Sequence, residues 1–232
     1  MCGRFVLKAP FSELVRLYNI TNKLNLEPRY NIPPTEDICV VRPDPDGGGR
    51  RLDMLRWGLV PWWAKDLKVS FSNINAKAET VAEKPAFRDA FKERRCIVPA
   101  DGFYEWKKLD AKTKQPHAIV MKDRSVFGFA GLWERWKDRA SGQTIQSCTI
   151  IMTAPNAVCS PIHDRMPAIL EPSNYARWLG EEPTDPPHLM AMLRPYPAEA
   201  MEAYPVTTRV GSVKNTEAEL FAPLEGNAAA LG

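Results

Sequence analysis

The chain has 232 residues, 44% of them hydrophobic, and a net charge of +3. That size supports one substantial core or at most two small domains, and no run approaches the roughly 18 apolar residues of a membrane-spanning helix. The small positive charge falls short of the strongly basic composition of many nucleic-acid binders, so any polyanion-binding surface must be local. Cysteines at 2, 39, 96, 148 and 159 form no Cys-x-x-Cys pair, and no histidines stand at finger spacing. Neither a disulfide framework nor a metal site is expected, and Cys39, Cys96 and Cys148 read as core strand residues. The N-terminus lacks a basic region followed by an apolar run, so a soluble protein of the cytoplasm is expected.

Phe11, Leu14, Val15 and Tyr18 repeat at i, i+3, i+4 and i+7, which predicts an amphipathic helix over 11–19 with Ser12 placed to cap it. Strand-like segments follow at Ile38–Val41, Leu52–Trp57, Cys96–Val98, Phe103–Trp106, Ala118–Met121, Phe127–Trp133 and Thr144–Met152. The run Asp44-Pro45-Asp46-Gly47-Gly48-Gly49 reads as a hairpin tip, and 112–116 and 138–142 as surface turns. Thr80 and Glu83 have capping-box spacing, but Pro85 divides 80–92 into two short helices. Ser173–Leu179 stops at Gly180, and a further helix is expected over His188–Leu193. Few helices alternate with strands. The expected class is therefore α+β, a single domain over 1–225 with a mostly antiparallel, curved or barrel-like sheet and peripheral helices. Residues 226–232 read as a disordered tail.

The chain opens Met1-Cys2-Gly3-Arg4-Phe5. Loss of the initiator methionine would leave Cys2 with a free amine and a thiol on adjacent carbons, able to close a five-membered thiazolidine on an aldehyde. Reference pKa values of about 8 for the amine and about 8.5 for the thiol leave only a small fraction of either nucleophilic at neutral pH, so a nearby base would help. Glu105, between Tyr104 and Trp106, would face the opposite side of its strand from its aromatic neighbours. It is either a solvated strand carboxylate or, if partly buried, a proton shuttle with a raised pKa. His163, in a turn with Asp164 and Arg165, is either a hydrogen-bonding loop residue or an acid for a sugar oxygen. Asn75 could hold an amine or a ribose oxygen, or merely shape a turn. Arg4, Lys77 and Arg165 are candidate phosphate contacts, and Trp62 and Trp63 candidate base-stacking residues, although at least one tryptophan could be core.

Together with Arg29–Pro34, Trp57-Gly58-Leu59 through Trp62-Trp63, Asn75–Thr80, Asp101–Trp106, His163–Pro167 and Val213-Lys214-Asn215, the opening pentapeptide resembles the SRAP family. Its members capture abasic sites in single-stranded DNA covalently. The resemblance spans nearly the whole chain. It implies the SRAP fold, Cys2 as mature N-terminus and DNA-bonded residue, and Asn75, Glu105 and His163 as its catalytic companions. It places Arg4, Lys77, Trp106, Thr153 and Arg165 near the DNA path, with Trp62 or Trp63 as a wedge between bases. Lys77 stands where some relatives carry arginine, which keeps the charge but not bidentate geometry. No cofactor or metal is implied. The expected partner is single-stranded DNA bearing an abasic site, with replication-fork proteins as further partners, no membrane association and a monomeric state. Expected activities are thiazolidine crosslinking during the response to DNA damage, removal of Met1 by a peptidase activity, and slow strand cleavage by β-elimination.

Two other readings share the opening residues. A class II glutamine amidotransferase also starts Met-Cys-Gly, but this sequence shows no convincing Asn-Gly segment for an oxyanion hole. A non-covalent single-strand binder would make Cys2 incidental.

Overall fold

The structure is a computed structural model, and residues 2–224 are described. The expected tail at 226–232 and Met1 lie outside the described residues. In chain order the elements are β1 (Phe5–Leu7), α1 (Phe11–Tyr18), β2 (Arg29–Ile32), β3 (Asp37–Pro43), β4 (Arg50–Trp57), β5 (Asn75–Lys77), α2 (Arg88–Glu93) and β6 (Arg95–Ala100). They continue with β7 (Gly102–Lys108), β8 (Lys114–Met121), β9 (Phe127–Lys137), β10 (Thr144–Thr153), β11 (Met166–Pro167) and β12 (Ile169–Leu170). The chain then runs through α3 (Tyr175–Leu179), α4 (Pro186–Ala191) and β13 (Met201–Pro205).

Two sheets form. One is antiparallel with the order β13-β8-β7-β1-β2. In the other, β10, β4, β3, β6 and β9 follow one another, and pairing of β9 with β10 closes them into a ring. Closure removes the free edges that an open sheet would expose. Only the pairings of β10 with β4 and β5 are parallel among the described strands, so the α+β, mostly antiparallel, barrel-like reading holds.

β1 joins the two halves of the core. Phe5 meets Trp57 at 5.3 Å and Phe129 at 6.0 Å between ring centroids, facing the closed ring. Val6 points the other way, into a smaller cluster with Tyr104, Tyr204 and Val210. A strand buried on both sides carries no polar alternation, and full burial of a residue like Phe5 is worth about 1.5–3 kcal/mol.

Local chemistry adjusts several expected boundaries. α1 starts at Phe11 with Pro10 as its cap residue and no side-chain capping bond, so Ser12 lies inside the helix instead of capping it. The capping-box segment becomes a 3-10 turn at Ala78–Thr80, and α2 begins only after Pro85. β8 starts at Lys114, so the turn expected at 112–116 is only partly one. α4 begins at Pro186, two residues earlier than expected, because Asp185 accepts a bond from the His188 N–H. Gly180 ends α3 in the left-handed region, as expected.

Candidate active site

Pairing of β1 with β7 carries the N-terminal segment alongside Glu105. Phe5 pairs with Phe103, and the Tyr104 N–H donates to Arg4 O at 2.9 Å. Cys2 is buried, its thiol 3.7 Å from Arg4 O. Burial pushes that thiol far above its ordinary pKa, and the Glu105 charge pushes it further. The strand alternation that places Tyr104 in the smaller cluster turns Glu105 toward the main core, where Cys2 and Phe103 lie. Glu105 is only 3% exposed, and burial raises its carboxyl to a pKa of about 7.

His163 arrives from the loop between β10 and β11. The loop is built on itself: Asn156 Oδ1 accepts from the N–H groups of Val158 and Cys159, and Cys159 O accepts from those of Ile162 and His163. His163 Nε2 stands 4.0 Å from Glu105 Oε2. Its Nδ1 accepts the Arg165 N–H at 3.0 Å and lies 2.9 Å from Asp164 Oδ1. The backbone N–H requires a lone pair on Nδ1, whereas the Asp164 carboxylate requires a proton there, so the two contacts favour opposite tautomers of the ring. Partial burial lowers the pKa of His163, which favours the neutral ring. Cys159, buried in the same loop, is pushed up to about 12 by burial and then by the Glu105 charge, so it is a protonated neighbour at neutral pH.

Asn75 opens β5 and pairs with Ile150 of β10. Both heteroatoms of its amide are screened from solvent and have no hydrogen-bond partner among the described residues. Buried amides are normally satisfied, so a partner supplied by a bound ligand or water is one explanation for this exception. Thr153 ends β10 opposite Met166, directly after the His163-Asp164-Arg165 turn. Lys77, at the far end of β5, is exposed, while Arg165 donates from Nη1 to Glu79 Oε1 at 2.5 Å. Partial burial alone would raise the Glu79 pKa, but the Arg165 hydrogen bond, a backbone hydrogen bond and the charges of Arg165 and Lys77 together outweigh it and hold the carboxyl below its usual range.

Trp62 and Trp63 are 60% and 46% exposed, so neither is core. Their loop is nevertheless fixed, because Trp136 Nε1 donates to Ala64 O at 2.8 Å. Gly58, at φ +133°, allows the close approach of Ser70 O, which would lie 2.7 Å from any Cβ there. That approach ties the segment before the tryptophans to the 3-10 turn Leu67–Ser72, on which Phe71 is 64% exposed. Phe71 was not legible as a site residue. Its signal is exposure of a large ring on a tied-down segment also carrying Lys65 and Lys68.

Other expected contacts point elsewhere. Trp106 lies on the face of β7 opposite Glu105 and packs against the smaller cluster. Arg4 donates to Asn31 Oδ1 at 2.7 Å, Val210 O at 2.9 Å and Gly211 O at 3.3 Å, so it seats the C-terminal segment on β1. A concavity of about 900 Å³ beside α4 contains none of these residues, and the convergent chemistry lies outside it.

The sequence and the fold resemble those of known proteins. The family model described as SOS response associated peptidase (SRAP) matches residues 1–213. The chain is 47% identical over 224 residues to the abasic site processing protein YoqW of Bacillus subtilis, covering 95% of this chain and 99% of that one. It is 32% identical to the abasic site processing protein HMCES of Xenopus tropicalis, over 86% of this chain and 65% of the other. A crystal structure of a Bacteroides thetaiotaomicron protein superposes with a TM-score of 0.86 at 25% identity, covering 96% of this chain and 99% of that one. By its fold, the order of its motifs and the extent of these matches, the chain belongs to the SRAP family.

Proposed function

We propose that this protein processes abasic sites, capturing them in single-stranded DNA through Cys2 once Met1 has been removed. Relatives named abasic site processing proteins support the substrate class. The observation that carries the chemistry is the buried Glu105, poised at a pKa of about 7 beside Cys2 and 4.0 Å from His163. A carboxyl that gains and loses a proton near neutrality suits a reaction that needs both steps.

The order of attack follows from the acidities. The buried thiol stays protonated, whereas an α-amine has an ordinary pKa of about 8 and is available first. The amine adds to C1 of the ring-opened deoxyribose, and protonated Glu105 supplies the proton with which the hydroxyl leaves as water. The resulting iminium is then attacked by sulfur. Glu105 accepts the thiol proton, and the C–S bond closes the thiazolidine while nitrogen takes the electron pair of the C=N bond. The unsatisfied Asn75 amide holds the amine or the sugar oxygen, and His163 protonates the ring oxygen when the sugar opens. Lys77 and Arg165 neutralise phosphates, and Trp62, Trp63 and Phe71 offer stacking faces for unpaired bases.

Intact-mass spectrometry before and after incubation with an abasic single strand tests the reading. The expected product is protein lacking Met1, heavier by the oligonucleotide minus one water, and stable on denaturing electrophoresis. A complex that dissolves in denaturant would leave a non-covalent binder, and ammonia release from glutamine would favour the amidotransferase reading. Borohydride should trap an imine with Cys2→Ser, which keeps the amine and loses the ring-closing thiol.

A further inference from the structure

Over much of the surface, cations meet carboxylates: Arg29 pairs with Glu36, Arg50 with Glu181 and Arg209 with Glu217. The hairpin that joins β7 to β8 differs. Residues 107–114 hold four lysines, at 107, 108, 112 and 114, against the single acid Asp110, and this net +3 equals the net charge of the whole chain. Among the described residues none of the four lysines forms an ion pair. Asp110 faces the backbone of the turn, its Oδ1 accepting the N–H groups of Lys112 and Thr113, both at 2.7 Å.

The arm is built on the strand that carries Glu105. The register of β7 with β8 runs unbroken from Phe103 and Ile119 to Lys108 and Lys114, and Gln115 Nε2 fastens the arm to Val206 O at 2.8 Å. Lys108 and Lys114 are therefore directly opposed, a like-charge arrangement that destabilises a strand pair. An anion bridging the two ammonium groups turns that repulsion into attraction. Three rises of about 3.4 Å separate the pair from Glu105, so the arm begins roughly 10 Å along the strand from the buried carboxyl. Its charge also reaches the site: burial is the main cause of the lowered His163 pKa, and Lys114 acts in the same direction.

The site lies between the two sheets. Glu105 comes from the five-stranded one, whereas Asn75, Lys77, Thr153 and the loop of His163 and Arg165 belong to the closed ring. We propose that the β7–β8 hairpin is a second phosphate-binding arm, which holds the DNA backbone on the flank of the lesion opposite Lys77, Arg165 and the tryptophans. This rests on the single-strand capture reading above. Lysine ammonium groups bind phosphate as point charges, and residues 107–114 include no aromatic ring, so the arm takes the backbone whatever its base sequence while the ring side stacks bases.

The test is fluorescence anisotropy of Met1-free protein with single strands that carry a tetrahydrofuran in place of the aldehyde, at the 5′ end, at the 3′ end or in the middle. Wild type is compared with a variant combining Lys107→Gln, Lys108→Gln, Lys112→Gln and Lys114→Gln, and with the four corresponding arginine substitutions. On the central lesion the glutamine variant should lose roughly 0.7 of logarithmic salt slope for each lysine engaged, about 1.4 for the opposed pair alone and about 2.8 for all four. The loss should persist on only one of the two end-lesion strands, the one whose flank crosses the arm, and the arginine variant should keep the wild-type slope on all three. An unchanged slope overturns the arm, and so does an equal loss on both end-lesion strands, which marks a general effect of net charge. These slopes without any covalent adduct between wild type and the aldehyde strand would leave the arm standing and overturn the capture chemistry instead.

Discussion

Replacing Glu105 with glutamine should reverse part of the pH dependence of stability. The group departs from the usual carboxylate pattern, because burial lifts its pKa from an ordinary 4.5 to about 7 instead of lowering it. Below pH 4.5 both folded and unfolded chains hold the proton, and the group contributes nothing. Between pH 4.5 and about 7 the folded chain keeps a proton that the unfolded chain has lost, so stability falls as pH rises. Above that window the loss is complete. A shift of this size corresponds to on the order of 3 kcal/mol, at about 1.36 kcal/mol for each pKa unit. The substituted amide cannot ionise, so the stability of Glu105→Gln relative to wild type should climb by that amount between pH 4.5 and the far side of the window. For a chain of this length the relative Tm should move by roughly 6–12 °C over the same range. Urea unfolding of both proteins at closely spaced pH values measures the difference directly. A difference that stays flat across the window would refute the raised pKa and with it the shuttle role of Glu105.

Asn31→Ala should destabilise the fold by about 2–4 kcal/mol in thermal unfolding, because it strips partners from Arg4 and from the buried carbonyl groups that Asn31 Nδ2 serves in 210–215. Hydrogen exchange should localise the opening to that segment. Phe71→Ala, like Trp62→Ala and Trp63→Ala, should weaken single-strand affinity by up to about 1–3 kcal/mol for each base unstacked, with little change in Tm, as anisotropy and calorimetry would report. Lys77→Ala should instead lower the logarithmic salt slope by about 0.7. Glu79→Gln should tighten DNA binding several-fold at low salt, since it frees Arg165 from a charged competitor for phosphate, and unchanged affinity would count against Arg165 as a phosphate contact.

The central strands and α1 are legible in the sequence because their patterns are local: Thr144–Met152 is dominated by β-branched and apolar residues, and Phe11, Leu14 and Tyr18 share one helix face. Six strands are hidden there: β1, only three residues long and apolar on both faces, β2, β5, β11 and β12, none longer than four residues, and β13, which ends at Pro205 and includes Glu202. Lys114-Gln115-Pro116 has turn composition, but the long antiparallel pairing with β7 overrides that preference. Closure of the ring through β9 and β10 is a long-range event that no local pattern announces. At the site, alternation around Glu105 predicts the correct two-sided arrangement, but not which side is buried. Phe71 and the opposed pair Lys108 and Lys114 escape notice for a related reason. Exposure of the first and the cross-strand register of the pair exist only after folding.

The seat of Arg4 has a consequence for how the protein is made. The ribosome releases Cys2 first, yet Arg4 bonds to the carbonyl of Val210, 206 positions later. Its β1 neighbours in turn wait for β7. Domains generally fold as units during synthesis, and pairings this distant in sequence form late. The nascent chain therefore carries Cys2, the nucleophile of the proposed reaction, for most of translation without the buried Glu105 or the seated strand beside it. On the proposed capture chemistry, selectivity for the lesion is delayed until the far end of the domain has emerged, so chains stalled before Val210 and freed of Met1 should show the unselective aldehyde chemistry of a free cysteine peptide.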